Sequence, residues 1–288
     1  MDPRLSPACQ EADAAFTVPR CISPDYIDRL LAICAEERVS LLVPTIDPEL
    51  AVLARSTERF AAVGTRVVVS SPDVVALAND KESTARVLKS AGVPVPETMP
   101  FDSWRARPES LGWPVLLKPI AGSASVGIRR LQHAGELASV PAVLPAFIAQ
   151  ECAVGREYTV NVFFSPAGQL QCAVPHERLE VRSGEVSKGR TVALRCLMDA
   201  AEQLAGALTG ARGPLCFQAI VRDDGSFAVF EINARFGGGF PLAHQAGARF
   251  TKWLLEESLG RAPSYSREWR AGVTMLRYDA AVFLHEGE

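Results

Sequence analysis

The chain has 288 residues, 48% of them hydrophobic and 22% charged, with a formal net charge of −3. That length allows two domains, or one large domain with a lid, inside an ordinary globular composition. There is no basic surplus and no charged tail, which excludes nucleic acid as the expected partner. The apolar stretches, such as residues 67–69, are strand-length, so no membrane span is expected.

Seven cysteines are scattered without a C-x-x-C pair, and the four histidines stand far apart. This usage reads as reduced thiols in a cytoplasmic protein, with neither a disulfide frame nor a zinc cluster.

Ser23 before Pro24 reads as an N-cap and first-turn proline, with Ile27, Leu30, Leu31 and Cys34 on one helical face. A buried strand over 39–43 is closed by Pro44. A helix over 49–60, a strand over 66–69 and a helix opened by Ser71-Pro72 follow. Residues 1–21 carry little periodicity and no glycine-rich first turn, so the series reads as an α/β fold lacking its first strand and helix. A helix from 80 to 91 is stopped by Gly92, Pro94 and Pro96. Strands are expected at 115–118, 128–131, 147–150 and 157–164, then a helix over 191–208, a hairpin over 215–233, a helix over 242–259 and a strand near 274–278.

The hairpin carries the sharpest chemistry. A two-residue turn at Asp224-Gly225 sets Asp223 opposite Ser226 and therefore Gln218 opposite Glu231. Glu231, Asn233 and Arg235 alternate onto the face that Gln218 shares, while Ile220, Phe230 and Ile232 are apolar. One carboxylate and two amide oxygens suit Mg²⁺, and Arg235 suits a phosphoryl or carboxylate group. A solvated hairpin face is the alternative reading.

Leu116-Leu117-Lys118-Pro119 ends a strand, and Gly122, Ser123, Ala124, Ser125, Val126 and Gly127 follow before the next one. Glycines and serines there could close over phosphate oxygens as a flap; a tight turn is the plain alternative. The segment is neither a Walker A motif nor a dinucleotide fingerprint. Lys118, in a run of apolar residues, needs an anionic partner. Lys81, in the first turn of its helix, opposes the helix dipole, which points to an external anion or to simple exposure. Gln150, Glu151, Cys152, Ala153, Val154 and Glu157 join two strands, as a base-binding segment or as a polar connection. Gly237, Gly238 and Gly239 let backbone approach a substrate or link flexibly to the last helix. Arg178, Arg182 and Lys188 could reach phosphate, with surface charge as the other reading of each.

In their order, Asn79-Asp80-Lys81, Leu117-Lys118-Pro119, the loop 122–127, Gln150-Glu151 with Gly155 and Glu157, Gln218, and Glu231-Ile232-Asn233-Ala234-Arg235 resemble the ATP-grasp superfamily. The likeness is to its carbamoyl-phosphate-synthase-like and carboxylate–amine ligase members, over about residues 72–260. It implies a truncated parallel α/β N-terminal domain (1–75), then an ATP-grasp domain (76–288) with an antiparallel sheet and a lid subdomain at about 95–150. The implied activity is an ADP-producing ligase that forms C–N bonds, activating a small-molecule carboxylate as an acyl phosphate and passing it to an amine. A bicarbonate- or carbamate-phosphorylating enzyme and a non-catalytic ATP-binding module are the alternatives.

By the same resemblance, Lys81 and Lys118 bind ATP phosphates under the flap, Gln150, Glu151 and the backbone of residues 152–154 hold adenine, and Glu157 holds ribose. Gln218, Glu231 and Asn233 ligate Mg²⁺, for which Mn²⁺ can substitute, and Arg235 stabilises the acyl phosphate. A homodimer is an allowed assembly. Ala124 stands where many relatives have glycine, and the chain carries one grasp unit without a glutamine-hydrolysing module.

Overall fold

The computed structural model describes residues 3–122 and 127–284. The chain begins with the α/β segment expected from its sequence, in abbreviated form. Strands β1 (Leu41–Leu42) and β2 (Arg66–Val67) pair in parallel. The strands read as 39–43 and 66–69 are shorter, because Pro44 removes a donor on one side and only two residues of each find a paired partner. After a short helix at Pro7–Gln10, the helix expected from Ser23-Pro24 starts at Tyr26 with Asp25 as its N-cap, two residues beyond that pair, which forms a preceding turn. The helix read over 49–60 is two, Asp47–Ala54 and Thr57–Ala62.

Helix Pro72–Asn79 opens as read, with the Ser71 hydroxyl accepting from the Val74 amide. Asp80 caps the next helix, Lys81–Ser90, by accepting from the Ser83 amide at 2.7 Å. The Lys81 amide donates to the Ile120 carbonyl, which ties the start of that helix to the segment after β4 and fixes where Lys81 stands.

The second sheet holds β3 (Thr98–Pro100), β4 (Val115–Pro119), β5 (Arg129–Leu131) and β6 (Phe147–Glu151) in the order β3-β6-β4-β5, all antiparallel. It has its own core of Phe101, Trp104, Leu117, Leu131 and Ala149. The third sheet holds β7 (Arg156–Phe164), β8 (Leu170–Arg182), β9 (Glu185–Thr191), β10 (Gly213–Val221), β11 (Phe227–Asn233) and β12 (Thr274–Leu276) in the order β11-β10-β7-β8-β9-β12. The helix read over 191–208 begins only at Arg195, because Thr191 is still paired in β9. The long final helix is broken into Phe240–Ala246 and Phe250–Ser258 at Gly247, whose φ of +123° no helix can continue.

One hydrophobic core runs from the N-terminal segment into the large sheet, joining Leu53, Phe60 and Leu88 to Val160, Leu204 and Phe217. Each fully buried side chain of this kind contributes about 1.5–3 kcal/mol. Among the described residues no helix is long and apolar enough to cross a membrane.

The shared core packs the front of the chain against the large sheet, so the two are expected to unfold together. Phe60→Ala is expected to cost about 3–5 kcal/mol. Urea unfolding followed by tryptophan fluorescence tests it, since all four tryptophans (Trp104, Trp113, Trp253, Trp269) lie outside the N-terminal segment. An unshifted tryptophan transition would mean that the front folds alone.

Candidate active site

The hairpin register departs from the sequence reading at its tip and agrees with it at its functional end. The turn is a three-residue loop, in which the Arg222 amide donates to the Ser226 carbonyl and the Gly225 amide donates to the Arg222 carbonyl. Gly225 takes φ +83°, the left-handed conformation this loop requires. Asp223 therefore does not face Ser226. A bulge at Phe230 absorbs the extra residue: Ala219 pairs with Val229, yet Gln218 pairs with Glu231 and Cys216 with Asn233. The bulge also turns Phe230 into the cleft beside Glu231, where a regular strand would have hidden it.

That cleft lies between the two antiparallel sheets. Leu116 and Lys118 of β4 and Gln150 of β6 line one wall; Gln218, Ile220, Phe230 and Glu231 line the other, with Lys81, Gly122, Glu151, Ala153, Glu157 and Arg178 around them. Lys118 is buried, and its Nζ donates to Gln150 Oε1 at 2.7 Å and stands 5.1 Å from the Phe230 ring centroid. Burial pushes the Lys118 ammonium down to about 8, against the opposing field of Glu231. Lys81 is lowered by burial as well, with Glu231 the largest opposing charge, and its Nζ donates to the Gly122 carbonyl at 2.6 Å. Glu231 is raised by burial, which Lys81 and Lys118 oppose.

Gln218, Glu231 and Asn233 share one property: none of their side chains makes a hydrogen bond or ion pair among the described residues. Gln218 lines the main cleft, Asn233 a smaller cavity that it shares with Asp47 and Asn79, and Glu231 lines both. These are hard oxygen donors left without an internal partner, a set chemically suited to a divalent cation. Among the described residues no cluster of three or more His, Cys, Asp or Glu offers another such site.

Other candidates are already engaged. Gln150 accepts from Lys118 and donates to Thr98 Oγ1 at 2.9 Å, so its side chain orients a lysine inside the wall. Glu151 accepts from Arg222 at 3.1 Å. Glu157 lies 3.2 Å from Arg178 Nε. Arg178 lines the cleft and donates to the Gly184 carbonyl at 2.8 Å, whereas Arg182 pairs with Asp279 and Lys188 with Glu180 outside it. Ala153 lines the cleft, but Cys152 does not, and the Val154 side chain is exposed. Ser123, Ala124, Ser125 and Val126 lie outside the described residues, so only the ends of the expected flap are placed.

Arg235 is not a free cation. Its Nε and Nη2 donate to the two oxygens of Asp47 at 2.9 and 2.7 Å. Burial alone would lower its pKa, and Asp47 more than offsets that, leaving it raised. Sequence reasoning missed Asp47, whose only local signal was an acid at a helix start. It missed Thr98 and the cleft-facing Phe230 as well.

The three glycines after Arg235 are required by their own neighbours. A Cβ at Gly237 would meet Cys216 Sγ at 2.8 Å, one at Gly239 would meet His176 Nε2 at 2.5 Å, and one at Gly238 would fall on the Glu185 carboxylate. The Cys216 thiol is pushed up to about 12 by burial, which leaves it no role as a nucleophile.

The chain matches the family model of the ATP-grasp domain over residues 78–239 and that of the PylC-like N-terminal domain over residues 2–68. It belongs to the ATP-grasp family. Among curated proteins it resembles the D-alanine–D-alanine ligase of Ralstonia nicotianae, at 25% identity over 73% of this chain and 54% of that protein. Matches to such ligases span from 28% to 54% of their length, so the chain matches between about a quarter and a half of these relatives. Among solved structures it resembles the biotin carboxylase domain dimer of Hydrogenobacter thermophilus 2-oxoglutarate carboxylase, in complex with MgADP and bicarbonate. There the TM-score is 0.73 at 20% identity, over 92% of this chain and 64% of that one. The L-amino acid ligase of Bacillus licheniformis gives 0.67 at 16%, over 88% and 64%. At these identities the two structures establish the fold.

Burial, with the Arg178 charge adding to it, holds His176 at about 3, against 6.5 ordinarily. Its Nε2 has no hydrogen-bond partner among the described residues. The unfolded chain takes up a proton near pH 6.5 that the folded chain refuses. Stability should therefore be full above that pH and fall by about 1.4 kcal/mol per unit below it, toward the folded value near 3. Unfolding free energies measured at pH 7, 6 and 5 should show this slope, and His176→Gln should lack that share of it.

Proposed function

We propose that the chain is the catalytic part of an ATP- and Mg²⁺-dependent ligase, joining a small-molecule carboxylate to an amine through an acyl phosphate. One observation carries the reading: Glu231 and Gln218, without hydrogen-bond partners among the described residues, line the same cleft as the buried Lys118 and the half-buried Lys81. Two ammonium groups that have only neutral acceptors among the described residues, opposite uncommitted oxygen donors, suit a metal-bound polyphosphate better than any neutral ligand.

In this reading Lys81 and Lys118 hold the phosphates, and Glu151, Ala153 and Glu157 line the nucleoside end. Gln150 sets the Lys118 ammonium in place rather than touching adenine itself. Gln218, Glu231 and Asn233 would hold the cation, Mg²⁺ or Mn²⁺, which would supply positive charge to offset that of the phosphoryl group. The acid's carboxylate oxygen attacks the γ-phosphorus and the bond to ADP breaks. The amine nitrogen then attacks the acyl carbon, the bond to phosphate breaks, and the nitrogen's proton passes to solvent. Arg235 stabilises the oxyanions of both steps, and the backbone of Gly237, Gly238 and Gly239 borders the acceptor. The buried, high-pKa Cys172 and Cys216 fit a route without a covalent enzyme intermediate. We infer a homodimer on the analogy of the dimeric carboxylase domain, and a cytoplasmic location from the free cysteines.

A phosphate-release screen of carboxylates against amino acids and bicarbonate tests the activity. Release that requires both an acid and an amine supports the ligase. Release with bicarbonate alone turns the reading to a bicarbonate-phosphorylating enzyme. Tight Mg-ATP binding with no release across the panel turns it to a binding module.

Glu231→Gln should lower turnover at least ~100-fold, because it removes the charge of the one carboxylate in the proposed cation set. Gln150→Leu should leave Lys118 without its acceptor and weaken Mg-ATP binding about 10-fold by calorimetry. Unchanged affinity in that variant would remove Gln150 from the phosphate-binding wall.

A further inference from the structure

The Arg235 guanidinium carries five N–H groups. Nε and Nη2 donate to Asp47, and Nη1 donates to the Phe236 carbonyl at 2.9 Å. Two N–H groups are left, one on each Nη. The pair is largely withdrawn from water, with side-chain exposures of 13% for Arg235 and 19% for Asp47. Asp47 is itself held firmly. It opens helix Asp47–Ala54, and Glu49 beside it accepts from the Thr45 amide at 2.8 Å, the Ile46 amide at 3.2 Å and the Tyr26 hydroxyl at 2.8 Å. Asp47 also borders the small cavity reached by Glu231 and Asn233. Its segment matches the PylC-like N-terminal domain and lies outside the ATP-grasp match.

We propose that Asp47 is a positioning residue. By gripping the Nε edge of Arg235, it aims the two remaining N–H groups at the group being transferred, and so makes the front of the chain part of the catalytic apparatus. The claim rests on the ligase reading above. The grip needs the planar fork of arginine: an ammonium could not satisfy a carboxylate on one edge and present a fixed pair of donors on the other. The competing role is purely mechanical, an ion pair that pins the front of the chain to the large sheet.

Calorimetric titration with Mg-ADP, with and without aluminium fluoride, separates the two without knowledge of the acid. Aluminium fluoride presents an oxyanion-like group where the phosphoryl group would transfer. In the wild type, fluoride should tighten Mg-ADP binding. Asp47→Asn and Arg235→Lys should each cut that gain about 10- to 100-fold, the size expected for a lost charge-assisted hydrogen bond, with the affinity for Mg-ADP alone within about twofold. Asp47→Asn should add less than about twofold in the Arg235→Lys background, because the fork it orients is already gone. An intact gain in Asp47→Asn, or a full additional loss on top of Arg235→Lys, overturns the positioning role and leaves the ligase reading standing. Mg-ADP binding with no fluoride gain in the wild type overturns both.

Discussion

Everything at the site depends on the antiparallel pairing of β10 with β11, which sets Gln218 against Glu231 and opens their face toward Lys118 and Lys81. That pairing places a carboxylate in a partly desolvated cleft, without a hydrogen-bond partner among the described residues. Two lysines opposite it are partly stripped of water in turn. Each group is costly alone; together they form a field that charge of the right sign, sitting between the sheets, would complete.

Much of this was legible in the chain because hairpins report their register locally. The Asp224-Gly225 signal placed the turn within one residue, and the bulge at Phe230 returned the pairing to the expected partner. The bulge itself left no trace, since nothing about a phenylalanine in an apolar run announces that it will turn toward a cleft. Helix starts with a proline and a serine cap were readable at Ser71, where the hydroxyl does cap, and misleading at Ser23, where a turn intervenes.

The interactions that could not be read are those joining distant segments. Asp47 and Arg235 are 188 residues apart, and neither has a periodicity that refers to the other. Gln150 sits opposite Leu116, one pleat from Lys118, in a pairing whose register no short turn fixes. From sequence its amide was equally free to face a base. The order of motifs supplied the family; the division of labour within each motif came from which side chains already had partners.

The way the β3–β6 sheet joins the body has a further consequence. The chain enters along β3 and leaves along β6, and these strands lie side by side, with Thr98 against Gln150 and the Glu151 amide on the Glu97 carbonyl. Entry and exit thus form a double-stranded neck, braced against the body by the Lys81 amide on the Ile120 carbonyl and by the Arg222–Glu151 ion pair. A displacement of this sheet would carry the Lys118–Gln150–Thr98 chain along with it, but only by stretching those braces and the Lys118–Phe230 contact. The wall that holds Lys118 is thereby fixed at its neck and at points beyond it, so the field between the walls is set by the fold before any charge enters it.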